Sequence, residues 1–393
     1  MATALQQIID TLISVLHSSS KTINLHEPTL NGAEWQYVKD CIDTGWVSSV
    51  GSYVDRFEQN LAKYTGHNYA IATTNGTSAL HACLHVAQVQ QNDEVLIPTL
   101  TFVATANAVS YCGAIPHFVD SNPSNLGIHI PKLRNYLSKT TKLHKQQCIN
   151  KTTGRPIKAL IAMHSFGHPV ELDELSTLCQ EFHLTLIEDA AEALGSLYRG
   201  QHVGHKGLMS ILSFNGNKIV TTGGGGAILT NDESLAHLAK HITSTAKIPH
   251  AWQITHDQIG FNYRMPNINA ALGCAQLEQL PSFIEKKRKL AEIYRQTFTD
   301  LPYAAIFIEP EYAKSNYWLN LLMLDKNYLH LKDELLAQSH QFGIAIRPAW
   351  TLMHHLPMYC SMPRMDVSIA EELSKRIICL PSSVNLLDKI NNQ

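Results

Sequence analysis

The chain reads as an α/β protein: a mainly parallel sheet with helices on both faces, followed by a smaller α+β portion. Two observations predict it. From Tyr69 onward, apolar runs of strand length alternate with stretches whose apolar residues recur at helical spacing, the rhythm of β–α–β units. Near residue 275 that rhythm yields to one long helical pattern and a shorter β–α–β tail, and 393 residues exceed the usual size of one domain. The expected division is an N-terminal helical extension over 1–25, a large α/β domain over 26–270 and a small α+β domain over 271–393.

Taken in order, residues 1–17 carry Ile8, Ile9, Leu12, Ile13 and Leu16 at helical spacing. With Asp10 among them and no basic lead-in, they read as an amphipathic helix, neither signal peptide nor membrane span. Residues 32–41 and 54–64 follow as helices, the second with Phe57, Leu61 and Tyr64 on one face. A strand at 69–72 runs into Asn75-Gly-Thr-Ser78, which caps an apolar helix over 79–89. Next come a strand at 94–98, a helix at 104–112 and a strand at 115–120 ending in a carboxylate. Residues 121–150 hold a polar, lysine-rich helix at the periphery. A buried strand at 158–163 leads to a helix with Leu172, Leu175, Leu178 and Phe182 on its face, then a strand at 184–188. Met209, Ile211, Leu212 and Phe214 mark a buried strand end, residues 223–226 a tight glycine turn, and 227–230 another strand. The tail comprises a helix at 277–297, a strand at 317–324, a helix at 331–342, a strand at 344–347 and a closing helix and strand through Leu380.

The net charge of −2 and a pI near 6.9, with no basic block, give no reason to expect nucleic acid or a membrane as partner. Eight scattered cysteines without a C-x-x-C pair fit reduced thiols in a cytoplasmic protein. The 21 histidines show no H-E-x-x-H or comparable spacing, so no metal site is expected.

In open α/β sheets ligands gather outside the carboxyl ends of the strands, and four groups occupy such places. Lys218 lies on a short loop between two core strands, where lost hydration disfavours its ammonium and makes the amine a nucleophile for carbonyls. A lone lysine beside glycines is ordinarily a solvated loop residue, so its partners decide. Gly76, Thr77 and Ser78 open an apolar helix, where free N–H groups and the helix dipole favour an anion. Asp189 ends a buried strand with no basic neighbour in sequence nearer than Arg199; a protonated pyridine nitrogen is a fitting partner. Phe102 follows another strand end, placed to lie against a flat ring. Phosphate cradle, stacking ring, pyridine-facing carboxylate and lysine together are what pyridoxal 5'-phosphate requires.

The chain resembles the DegT/StrS family of sugar aminotransferases, fold-type I enzymes that use pyridoxal phosphate on nucleotide-linked keto-sugars. The resemblance runs from about His26 to Val384. It rests on Asn75-Gly-Thr-Ser-Ala-Leu, Pro98-Thr-Leu-Thr-Phe-Val-Ala-Thr-Ala-Asn, Glu188-Asp-Ala-Ala-Glu-Ala, Ser213-Phe-x-x-x-Lys218 and Gly260-Phe-Asn-Tyr-Arg-Met-Pro-Asn. Leu25-His-Glu-Pro, Trp46-Val-Ser-Ser-Val-Gly and Thr221-Thr-Gly-Gly-Gly-Gly are similar to the subgroup that makes 4-amino sugars for legionaminic-acid-type nonulosonates. The resemblance implies that Lys218 forms the covalent link to the cofactor and that Asp189 pairs with its ring nitrogen. Phe102 would lie on the ring, Gly76, Thr77 and Ser213 would hold the phosphate, and Glu192, where many relatives carry His or Gln, would sit near the ring hydroxyl. Asn262 is implied to reach the phosphate of a neighbouring subunit, which makes a homodimer with shared sites. Gly224 stands where relatives often have Glu. Lys247, His250, Trp252, Arg347 and His355 are candidates for the nucleotide-sugar.

The implied reaction is amino transfer, glutamate being the expected donor, to a nucleotide-linked 4-keto-6-deoxy sugar, UDP-linked by the subgroup. A sugar dehydratase or a TDP-3-keto-sugar aminotransferase of the same family stays open, although dehydratases carry histidine in place of Lys218. A regulator that binds sugar nucleotides without turnover is expected to lack Asp189 or Lys218. A nicotinamide oxidoreductase lacks support, since no G-x-G-x-x-G opens a helix after the first strands.

Overall fold

The computed structural model describes residues 3–16 and 22–391. Its central sheet is built on seven strands: β1 (Tyr69–Thr73), β2 (Glu94–Pro98), β3 (Ile115–Val119), β4 (Pro156–Met163), β5 (Thr185–Asp189), β6 (Met209–Ser213) and β7 (Gly226–Thr230). Their order is β1-β7-β6-β5-β4-β2-β3, and only β7 runs against its neighbours. Such strands are apolar on both faces because helices cover both. The two-residue period sends Leu96, Leu160, Leu186 and Leu212 into one core, and Val95, Ile97, Ile161, Ile187 and Ile211 into the other. On the first face Phe57 meets Phe214 edge to face, with centroids 5.1 Å apart. Such a pair is worth about 0.5–1.5 kcal/mol beyond its buried area.

A second sheet, antiparallel, orders Ala304–Ile306, Asn320–Leu324, Ile377–Leu380 and Arg347–Pro348. The N-terminal helix Ala4–Leu16 packs here: Ile8, Ile9 and Leu12 share a core with Tyr294, Leu322 and Leu324. The remainder of that expected helix, residues 1, 2 and 17, lies outside the described residues. Asp120, just past β3, ties the two sheets together: it accepts the N–H of Ala370 at 2.8 Å, at the start of helix Ser368–Arg376, and pairs with Lys132. A carboxylate at that position complements the helix dipole.

Several elements differ from the expectation. The long helix starts at Asn267, ten residues early, and runs to Thr297. Its first turns bury Asn267, Ala270, Ala271 and Gly273 and leave Ile268, Asn269 and Leu272 half-buried, so no exposed polar face sets off an amphipathic stripe; a Cβ on Gly273 would stand 2.6 Å from the Phe57 ring. The expected boundary between residues 270 and 271 falls inside this helix. The apolar helix after β1 is Gly76–Val86, three residues ahead of the expected span at each end. Residues 121–150 contain, besides helix Ile130–Thr140, a hairpin of Thr141–His144 and Gln147–Asn150 that pairs with β4. Helix Glu233–Thr243, capped by Asp232, and strand Ala304–Ile306 were not anticipated. The strand expected at 344–347 shrinks to Arg347–Pro348, because Ile344 bridges Ile23 instead.

Candidate active site

The carboxyl ends of β1, β2, β5 and β6 converge on one cavity of about 270 Å³, whose lining includes Gly76, Thr77, Phe102, Asp189, Glu192, Ser213 and Lys218. Every cofactor residue expected from sequence is therefore brought together except Asn262 and Ser78, whose N–H is taken by Asn75. Strand period explains the choice between adjacent acids. Glu188 points away from the cavity and is consumed by His164 at 3.0 Å and by the N–H groups of Gly204, Lys206 and Gly207 at 2.7–2.8 Å. Asp189, one residue on, points into it.

Asp189 is buried, and its oxygens take the Thr105 hydroxyl at 2.9 Å and the Ala191 N–H at 3.2 Å. Burial pushes its carboxyl above the ordinary value, and those two donors only partly offset this. Glu192 is buried too; it accepts the Phe166 N–H at 2.7 Å and lies 3.2 Å from Lys218 Nζ. Burial again raises its carboxyl, opposed first by the charge of Lys218. The Lys218 ammonium also lies 3.9 Å from the centroid of the Trp318 ring, whose Nε1–H donates to the Asn217 carbonyl at 2.8 Å. A cation over an indole face is attracted by the ring quadrupole.

The anion end is built by the turn from β1 into helix Gly76–Val86. Asn75 is extended and its side chain caps the Ser78 N–H at 2.8 Å. The N–H groups of Gly76 and Thr77 are left without a protein partner among the described residues. Glycines allow the close approach here. A Cβ on Gly226 would stand 2.4 Å from the Asn75 carbonyl carbon, and one on Gly76 would stand 3.0 Å from Ser213 Cβ. Gly224, by contrast, has nothing within 4 Å of an added Cβ; only its neighbours need to be glycine.

These residues fit pyridoxal phosphate. A buried acid with no ion-pair partner among the described residues suits a cationic N–H, two open amides at a helix N-terminus suit an oxyanion, and a lysine lines the same cavity. Phe102, 48% exposed, lies 6.3 Å from Trp350, which stacks on Phe166 at 4.4 Å. Trp318, Trp350 and Thr105 were missed from sequence. Thr101 and Thr105, bonded at 3.0 Å and four residues apart at an apolar helix start, were a readable signal for a buried acceptor. The two tryptophans gave none, because they arrive from the C-terminal part of the chain.

Asn262 is exposed, bridged to Ser244, and does not line the cavity. Its motif holds the fold: Asn267 Oδ1 accepts the Tyr53 N–H at 3.0 Å, and Arg264 donates to the Ser49 carbonyl at 2.6 Å. Lys247 and Trp252 are exposed on the loop before it, and His250 Nδ1 accepts the Gln253 N–H at 3.0 Å. Arg347 and His355 are exposed on the C-terminal part, His355 within 4.0 Å of Glu371. None of these lines the cavity.

An α/β sheet whose strand ends gather a lysine, a buried carboxylate and an open helix N-terminus defines a pyridoxal-phosphate-dependent transferase. The chain belongs to the DegT/DnrJ/EryC1/StrS aminotransferase family, whose profile matches residues 28–391. It is a sugar aminotransferase of that family and uses pyridoxal phosphate. It is 38% identical over 372 residues to a GDP-perosamine synthase of Escherichia coli O157:H7, covering 93% of this chain and 94% of that one. It is 37% identical to the putative pyridoxal phosphate-dependent aminotransferase EpsN of Bacillus subtilis, covering 94% and 92%. Among solved structures it is similar to Helicobacter pylori PseC, an aminotransferase involved in the biosynthesis of pseudoaminic acid, with TM-score 0.84, 25% identity and coverage of 95% and 97%. No helix among the described residues is long and apolar enough to cross a membrane.

Proposed function

We propose that the protein moves an amino group from an amino acid, glutamate being the expected donor, to the keto carbon of a nucleotide-linked 4-keto-6-deoxy sugar. The observation that carries this reading is the 3.2 Å approach of Lys218 to Glu192 in the cavity that Asp189 and the Gly76–Thr77 amides also face. Pyridoxal phosphate, when bound, supplies the electron sink for a carbanion beside nitrogen. With it bound, Asp189 would hold the ring N–H, the Gly76 and Thr77 amides with the Ser213 hydroxyl would hold the phosphate, and Phe102 would cover the ring. Lys218 would be its covalent anchor and then the base that takes a proton from the donor's α-carbon and delivers one to the sugar carbon. Glu192, whose carboxyl is raised by burial against the opposing charge of Lys218, would sit near the ring hydroxyl.

A UDP-linked substrate of the legionaminic-acid type follows from the motifs around His26, Trp46 and Thr221. The relative named GDP-perosamine synthase favours a second reading, a GDP-linked sugar. The test is a glutamate-dependent amination assay with UDP-, GDP- and TDP-linked 4-keto and 3-keto sugars. Turnover of one 4-keto sugar well above the others supports the proposal, and turnover of the 3-keto sugars alone refutes it.

The site is completed by a second copy of the chain, with Asn262 reaching the partner's phosphate position. Supporting this, Trp35, Trp46, Trp252, Ile254 and Ile259 are each more than half exposed, and large apolar and aromatic side chains are the kind that subunit interfaces cover. The division into a unit over 26–270 and a smaller one over 271–393, with residues 1–25 as an extension, is part of the same reading.

A further inference from the structure

Lys287 sits in the middle of the long helix and is 1% exposed. Its Nζ reaches three separate stretches of chain: His26 Nε2 at 3.0 Å, the Trp318 carbonyl at 3.1 Å and the Ser382 carbonyl at 2.5 Å. Among the described residues no carboxylate pairs with it. A lysine is almost never fully buried unless paired, because desolvating an ammonium is costly. Here burial lowers its pKa to about 7. His26, from the Leu25-His-Glu-Pro stretch that the cofactor site leaves unused, is half-buried, and its inward Nδ1 has no partner among the described residues. Its own pKa is lowered by burial, then by the charges of Lys287 and Lys218.

The clamp is one residue away from the cavity. Trp318, whose carbonyl Lys287 holds, donates its indole N–H to Asn217 and turns its ring toward the Lys218 amine. The Trp318 N–H is fixed by Asn316 Oδ1 at 2.8 Å, and Asn316 Nδ2 holds the Glu192 carbonyl at 2.9 Å. We propose that Lys287 is a positioning residue for Lys218: with His26 and Ser382 it fixes the Trp318 peptide, so that the indole holds the Asn217 carbonyl and meets the catalytic amine. This rests on Lys218 being the amine that carries the cofactor. Lys287 touches neither substrate nor cofactor.

Three variants test it: Lys287→Met, Trp318→Phe and the double variant. Methionine keeps length and buries no charge, a replacement that interiors often tolerate. In cofactor-free protein, the Trp318 fluorescence, taken as the difference from Trp318→Phe, is expected to step near pH 7, and the step is expected to vanish in Lys287→Met. In loaded enzyme, Lys287→Met is expected to lower kcat about tenfold or more with both KM values within about twofold, because misplacement of a reacting group acts on the chemical step. That loss should disappear in the Trp318→Phe background. A shifted melting temperature with unchanged kcat and an unchanged fluorescence step overturns the inference, as does full additivity of the two substitutions. If Lys287→Met does not fold, His26→Leu is expected to move kcat and fluorescence the same way, and no change in either overturns the inference. The fluorescence arm uses no cofactor. It therefore stands or falls apart from the role of Lys218, which reductive trapping examines separately.

Discussion

At the scale of single residues, Asp189 sets function against stability. Its carboxyl is raised in the folded, cofactor-free protein, foremost by burial. The folded state then binds more protons than the unfolded one, so this group's contribution is favourable at low pH and is lost as pH rises through the raised folded value. Asp189→Asn should therefore raise the melting temperature of the cofactor-free protein at about pH 8, the gap closing toward about pH 4 where the unfolded carboxyl protonates. The same change should lower kcat/KM about 10²- to 10⁴-fold, the range in which positioned proton-transfer groups act. Differential scanning calorimetry and steady-state assays read the two effects; a variant that melts lower at the alkaline end contradicts the assigned burial cost. Lys287 obeys the opposite sign. Its folded pKa of about 7 lies below the ordinary lysine value, so its penalty is present below that pH and is relieved as pH rises toward about 10.4.

At the scale of elements, the turn between β1 and helix Gly76–Val86 has to be tight and its N-terminus open. Asn75→Ala removes the cap on Ser78 and should cost about 0.5–2 kcal/mol of stability, with the cofactor released more readily on dialysis. The glycine run beside it divides cleanly. Gly226→Ala would drive a methyl into the Asn75–Gly76 backbone, an overpacking expected to cost about 1–3 kcal/mol or more. Gly224→Glu faces open space and should change stability by less than about 0.5 kcal/mol. Urea unfolding of the two variants checks the contrast, and equal losses would contradict it. Gly224 is thus a glycine for which the local packing makes no demand.

At the scale of the whole molecule, the proposal that Asn262 completes the site of a second copy is tested by complementation. Mixing inactive Lys218→Ala with inactive Asn262→Ala and letting subunits exchange should restore about a quarter of native activity, since half the dimers are hybrids with one intact site of two. No recovery after proven exchange contradicts sharing. The sheet, the cavity and the residues on its strand ends were legible because each rests on local pattern: apolar runs, a capped turn, an acid closing a strand. Thr105 was within reach by the same logic. Trp318 and Trp350 were not, because long-range docking of the second sheet brings them to the cavity, and no spacing in the sequence encodes that. The first turns of the long helix escaped for a related reason: a helix with no exposed polar face carries no stripe.

The central claim is that Lys218 carries the cofactor and works as its base. Protein purified with pyridoxal phosphate should absorb in the visible, bleach on addition of glutamate, and after borohydride reduction carry the cofactor on the peptide containing Lys218, with none in Lys218→Ala. A protein that stays colourless with added cofactor, or a label found on another lysine, would contradict the account.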